Sequence, residues 1–275
     1  MRLTLQRAVV ATVASAILAG LVPAGIALDR RLAAAMTERA REDLALAPRA
    51  LAARNAAGAD AMMMHAQELA RTPGLGRALG SDDDVAATRL ASAAQGSAGA
   101  PVLLREDGRA VSGPAAAVAL LPAIRRGEMP VAIVGDARAL HTVALAPVTD
   151  QERRTGAAGY AIALDSGAAG YLAGMTRSTV TFLTPGGQVA ATTLDTAAAP
   201  ALARVLDAGG SWPDSVVREA DAAGARYLAV AAPLGGGARV IFARPLATEL
   251  ATLPALRRLA MLSAAGALGV ALALG

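Results

Sequence analysis

The stretch Val180-Thr181-Phe182-Leu183-Thr184-Pro185-Gly186-Gly187-Gln188-Val189-Ala190-Ala191-Thr192 decides how the chain is read. Two short runs rich in β-branched and aromatic residues flank a Pro-Gly-Gly turn. Proline presets one backbone angle and glycine supplies a positive one, so the pattern predicts two antiparallel strands joined tightly. Upstream, Pro101-Val102-Leu103-Leu104-Arg105 and Ala110-Val111-Ser112 flank Glu106-Asp107-Gly108-Arg109, the same plan with Asp-Gly at the turn. Working outward, the first hairpin is followed by a helical stretch at 115–126 and strands at 129–134, 140–148 and 156–164. The second is followed by a helix at 195–208 and strands at 215–219, 225–234 and 238–243, the last two joined by three glycines. The stretch 165–176 predicts a connecting helix between the copies. Strand, turn, strand, helix and three strands, given twice, predict an α+β protein of two tandem antiparallel modules.

Ahead of the modules, 29–71 is rich in Ala, Arg, Glu and Leu, has no glycine before Gly58, and predicts a long helix. Pro48 should kink or divide it, and Thr72-Pro73-Gly74 should stop it. Ser81 followed by Asp82-Asp83-Asp84 reads as an N-cap with carboxylates in the first turn of a helix running to about Gln95.

The two ends are apolar. Residues 8–28 carry no charge over 21 positions, about 30 Å of helix and enough to cross a bilayer. Residues 259–275 add a second uncharged run of 17, expected to be a second crossing with any output beyond Gly275. Arg2 and Arg7 before the first run, with no acid until Asp29, place the N-terminus inside and 29–258 outside. The alternative for the first run is a cleaved signal peptide ending near Gly25-Ile26-Ala27; its length, beyond the usual apolar core of about 7–15 residues, favours an uncleaved anchor.

A membrane anchor, a long outer helix with Leu69-Ala70-Arg71-Thr72-Pro73-Gly74-Leu75-Gly76-Arg77-Ala78-Leu79, and two such modules together resemble the double Cache (PAS-like) sensor domain of bacterial membrane receptors. The junction carries the resemblance: Gly156-Ala157-Ala158-Gly159-Tyr160-Ala161-Ile162-Ala163-Leu164-Asp165 is similar to the closing strand of one module, and 180–194 to the opening hairpin of the next. The resemblance covers roughly 30–250. It implies a stalk and helical segment at 29–99, a membrane-distal module at 100–177, a membrane-proximal module at 178–245 and a linker helix with the second span at 246–275. It also implies an extracytoplasmic input domain that binds a small molecule, works as a homodimer through its long helices, and passes a signal to a cytoplasmic output. A membrane-anchored binding or structural protein with no output is the alternative.

Chemistry is sparse. The chain has no cysteine and two histidines, His65 and His141, in different predicted elements, which excludes thiolate catalysis and disulfides and leaves no nucleophile–base motif. No cofactor is implied. The acidic run reads as helix capping, the glycine triplet as a hairpin turn, and Met62-Met63-Met64 as core. A net charge of +4 with acids and bases interspersed excludes a nucleic-acid interface. In Cache modules small molecules sit on the helix-covered face of the sheet. The resemblance therefore points to His141 and Tyr160 in the first module and to Trp212, Asp214 and Tyr227 in the second. With one tryptophan and three tyrosines, the chain departs from the family's amino-acid-binding pattern.

Overall fold

The computed structural model describes residues 2–94, 99–208, 216–255, 258, 259, 262 and 266, with backbone alone for 2–22, 24 and 206–208. The chain divides into two units, Met1–Asp43 with Arg244–Gly275, and Leu44–Ala243.

In the first unit, helix α1 (Arg2–Ala45) runs through the whole apolar stretch at 8–28 and past Pro23. Ile26 and Leu28, at the C-terminal end of that stretch, are 51% and 67% exposed. Among the described residues no helix is long and apolar enough to cross a membrane. The expected first span rests mostly on side chains outside those residues, and the second lies outside them but for Leu259, Leu262 and Gly266. Where a linker helix is expected from 246 onward, a four-residue helix, α8 (Leu246–Glu249), ends in a turn and the helix resumes at Leu253 beside Pro254. Arg244, nearly buried, stands 3.7 Å from the Asp43 carboxylate and 3.9 Å from that of Glu249.

In the second unit, α2 (Ala47–Ala70) starts after a one-residue break at Leu46. Pro48 therefore lies in the first turn of α2, where its missing N–H has no partner to lose. The predicted division is real, two residues before the proline. Helices α3 (Leu75–Gly80) and α4 (Asp84–Ala93) follow. Next come strands β1 (Ala100–Arg105) and β2 (Ala110–Ser112), then a 3-10 helix (Ala115–Leu120) running into α5 (Leu121–Arg125). Strands β3 (Val131–Gly135), β4 (Leu140–Asp150) and β5 (Arg153–Ala163) complete the first sheet, ordered β2-β1-β5-β4-β3.

Helix α6 (Ser166–Thr176), capped by Asp165 accepting the Ala168 N–H at 3.0 Å, leads to the second sheet. Strands β6 (Thr179–Leu183) and β7 (Val189–Thr192), helix α7 (Ala198–Ala208), and strands β8 (Arg218–Ala222), β9 (Ala225–Gly235) and β10 (Ala238–Pro245) give the order β7-β6-β10-β9-β8. Strand for strand, this repeats the first sheet. β8 lies three residues later than predicted.

The repeat reaches into detail. The β1–β2 ladder slips between Leu103 and Leu104, and the β6–β7 ladder slips at the matching place, between Phe182 and Leu183. In the first turn Arg105 N–H donates to Arg109 O and Gly108 N–H to Arg105 O; in the second, Thr184 N–H donates to Gln188 O and Gly187 N–H to Thr184 O. Gly108 and Gly187 both take the positive φ that these turns require.

The first sheet is covered on both faces. On one, Leu69 of α2 and Leu75, Ala78 and Leu79 of α3 pack with Leu103, Val148, Ala158 and Tyr160. On the other, Ala117, Leu121 and Ile124 pack on Val102, Leu104, Val143, Leu145, Ala157 and Ala161. The close approach of α3 depends on Gly76, where a Cβ would stand 2.4 Å from the Thr149 carbonyl oxygen.

Candidate functional site

Tyr160 lies in the middle of β5 beneath α2–α4 and is 3% exposed. Its hydroxyl donates to the Ala94 carbonyl at 3.3 Å. Burial, and then the field of Glu68, push the phenol above its ordinary range. His141, the second residue of β4, pairs with Ala163, whereas Tyr160 pairs with Ala144. Directly paired residues share a face and successive ones alternate. His141 is thus on the α5 face with Val143, and Tyr160 is on the opposite face. The two candidates of the first module, on adjacent strands as expected, therefore face opposite sides of the sheet.

In the second module Tyr227 is 6% exposed and packs among Leu183, Leu202, Ala220 and Ile241, as core under α7. Trp212 and Asp214 lie outside the described residues. Among the described residues His65 meets Glu68 at 3.3 Å and His141 has no hydrogen-bond partner.

Three polar features escape sequence reasoning. The first is a clamp around Arg105, which ends β1 and is 3% exposed. Its Nε donates to Asp84 Oδ1 at 3.1 Å, and its terminal nitrogens meet the carboxylates of Asp84 and Asp82 and the Leu79 carbonyl. Arg109 reaches the other Asp84 oxygen at 2.6 Å. The predicted capping is corrected here. Ser81 ends α3, and Asp83 is the cap of α4, accepting the Ala86 N–H at 2.9 Å. Asp82, at φ +60°, and Asp84 turn toward Arg105 because a buried guanidinium requires countercharge. Burial works against the charge on Arg105, but the Asp84 hydrogen bond and the fields of Asp84, Asp82 and Asp107 outweigh it and raise its pKa. The Asp84 carboxyl is held below its ordinary range, first by the hydrogen bond from Arg105, against burial, and then by the fields of Arg105 and Arg109. The acidic run facing an unmatched strand arginine is the signal that could have revealed this clamp.

The second is a turn, in which Asp136 accepts the N–H groups of Arg138 and Ala139 at 2.8 and 2.9 Å. Those bonds lower its pKa, with the nearby His141 and Arg138 acting in the same direction. The third is a cleft of about 420 Å³ at the turn end of the second module, between Leu183, Thr184, Gly187, Gly237 and Arg239.

The repeated order, with a helical insertion between second and third strands, is that of two PAS-like modules. Two such modules in tandem behind a long helix are the architecture that the double Cache resemblance implies. No family model and no curated relative matches the sequence. Among solved structures, the ligand-binding domain of the Campylobacter jejuni chemoreceptor Tlp3 with 4-methylisoleucine is similar at 9% identity and a TM-score of 0.48, covering 79% of this chain and 94% of that one. The ligand-binding domain of Mlp24 with asparagine is similar at 13% identity and a TM-score of 0.47, covering 82% and 99%. The periplasmic domain of Vibrio cholerae LuxQ is similar at 12% identity and a TM-score of 0.42, covering 74% and 98%. At these values the likeness is one of general architecture.

Proposed function

We propose that this chain is the extracytoplasmic ligand-sensing input domain of a bacterial transmembrane signalling receptor, non-catalytic in the residues present. One observation carries the reading: α1 continues unbroken from the apolar run at 8–28 to Ala45, one residue short of the helix that covers the first sheet. A change in how α2 seats on that sheet then has a covalent route toward the membrane, by small translation or rotation of a helix. The exposed Ile26 and Leu28 fit a lipid-facing role, and residues 52–58 of α2, exposed on every side, fit a helix that a second copy covers.

The ligand is a small molecule, the class present in the Tlp3 and Mlp24 structures. Reporter fusions after Thr37, Pro200 and Gly275 test the topology: a reporter active only outside should work at the first two and fail at the third. Activity at Gly275, or silence at Pro200, would overturn the reading.

A further inference from the structure

We propose that the cleft at the turn end of the second module is a binding site for a small carboxylate, held by Arg239. The two copies of the fold can be laid over one another through their shared ladder slip. Leu183 then corresponds to Leu104, and their partners on the neighbouring strand, Arg239 and Ala157, correspond to each other. In the first copy Ala157 is fully buried, sealed by Ala117, Leu121 and Ile124. In the second copy the matching position carries a charge, and a cleft of about 420 Å³ lies beside it. That volume is within the range of about 300–1,000 Å³ in which small-molecule sites fall.

The guanidinium is partly buried and, among the described residues, has no hydrogen bond and no ion pair. The contrast with Arg105 is internal to the molecule. That arginine, at the end of β1, has the carboxylates of Asp82 and Asp84 and a backbone carbonyl against it. Arg239, beside the matching turn, has its five N–H donors in a fixed fork and nothing among the described residues to receive them. An anion supplied from solution completes what the protein supplies at the first turn.

Thr184 adds a second donor. Its residue is 2% exposed, and its hydroxyl oxygen accepts the Gln188 N–H at 3.2 Å while its own proton has no acceptor among the described residues. The turns are built to stay open. Gly187 and Gly237 take positive φ, and a Cβ on Gly237 would stand 3.3 Å from Pro185 Cβ. One fork and one hydroxyl match the planar, singly charged carboxylate, which pairs with a guanidinium through two parallel bonds. A phosphate dianion would leave charge uncompensated.

Its role rests on the sensing reading. Gly236, in the same loop as Gly237, presses on the first module so closely that a Cβ there would be 2.8 Å from the Ile133 carbonyl oxygen. A carboxylate bridging Arg239 and Thr184 stiffens the turns that bear on that contact.

The test uses the full chain in nanodiscs, with propionate and succinate as probes and propionamide as the neutral control, read by ligand-observed NMR and calorimetry. At least one carboxylate should bind and propionamide should not. Arg239→Gln should weaken binding at least tenfold, and Thr184→Val should weaken it severalfold. Gly186→Leu places a side chain in the cleft without strain, since a Cβ there is 3.9 Å from the Thr184 hydroxyl and meets nothing nearer. That variant should block binding while the melting temperature holds.

No binding of either carboxylate to the wild type overturns the proposal, and so does equal binding to Arg239→Gln or Gly186→Leu. A different metabolite that stabilises wild type and Arg239→Gln alike, with neither carboxylate bound, defeats the cleft and leaves the sensing reading standing. Carboxylate binding lost in Arg239→Gln, in a chain whose fusions report this region inside the cytoplasm, upholds the site and defeats that reading.

Discussion

Replacing Arg105 with Met keeps an apolar stem much like that of arginine and removes the guanidinium with its charge and donors. Three acceptors lose their partner: the carboxylates of Asp82 and Asp84 and the Leu79 carbonyl. Breaking a fully buried ion pair costs about 3–5 kcal/mol because an uncompensated charge stays behind. Here the Asp82 side chain is 81% exposed and that of Asp84 31%, so both recover water, and Arg109 still holds Asp84. The remaining cost is mainly the carbonyl and the lost charge-assisted bonds, about 2–3 kcal/mol. The unit Leu44–Ala243 has a size at which each kcal/mol moves the melting temperature by about 2–4 °C, so a fall of about 4–12 °C is expected by calorimetry.

The pH dependence gives the sign. A carboxyl whose pKa is lowered by folding stabilises the fold above its unfolded value, and that contribution fades as pH falls through the folded value. Asp84 is such a group. The gap between wild type and Arg105→Met should be widest near neutral pH and narrow on acidification below the ordinary carboxylate range. A drop of less than 1 °C at neutral pH, or a gap that widens in acid, would refute the reasoning.

Tyr160→Phe removes one hydrogen bond to the Ala94 carbonyl and should cost about 0.5–1.5 kcal/mol, read from denaturant midpoints at unchanged m. Gly159→Ala puts a Cβ 1.8 Å from the Ala144 carbonyl oxygen across the β4–β5 ladder and should abolish soluble folding; Gly170→Ala, with nothing within 4 Å of the new methyl, should be neutral or stabilising by up to about 1 kcal/mol. Loss of either contrast in expression and melting would show that the packing is looser than described. Asp165→Ala deletes the cap of α6 and should cost about 0.5–2 kcal/mol, with faster amide exchange confined to the first turn of that helix.

Both hairpins, their turn glycines and the order of the strands were legible because turn chemistry and two-residue alternation are local. The side-chain clusters were not. His141 and Tyr160 lie on adjacent strands as expected, but their faces depend on the offset between β4 and β5, which the pairing Ala144↔Tyr160 sets and no local pattern reveals. Ser81-Asp82-Asp83-Asp84 contains a genuine cap, Asp83, two residues after the expected Ser81. Two of its acids serve a strand arginine 21 and 23 residues away in sequence. β8 was misplaced by three residues because an edge strand reading Arg-Glu-Ala-Asp-Ala buries only its alanines and has little apolar signature. Arg239 carries no local signal: only the alanine at the matching position of the first copy, Ala157, sets it apart.

The Arg244 ion pair has a mechanical meaning. Asp43 and Arg244 are the residues at which the first unit hands the chain over to the second, on the way in and on the way out. A tether between them makes two connectors behave as one yoke, so a pull on the returning strand is shared with the entering helix. The carboxylate end is 56% exposed, where an ion pair is worth about 0–1 kcal/mol and is screened by salt. The yoke is therefore a slipping one, loosened as ionic strength rises.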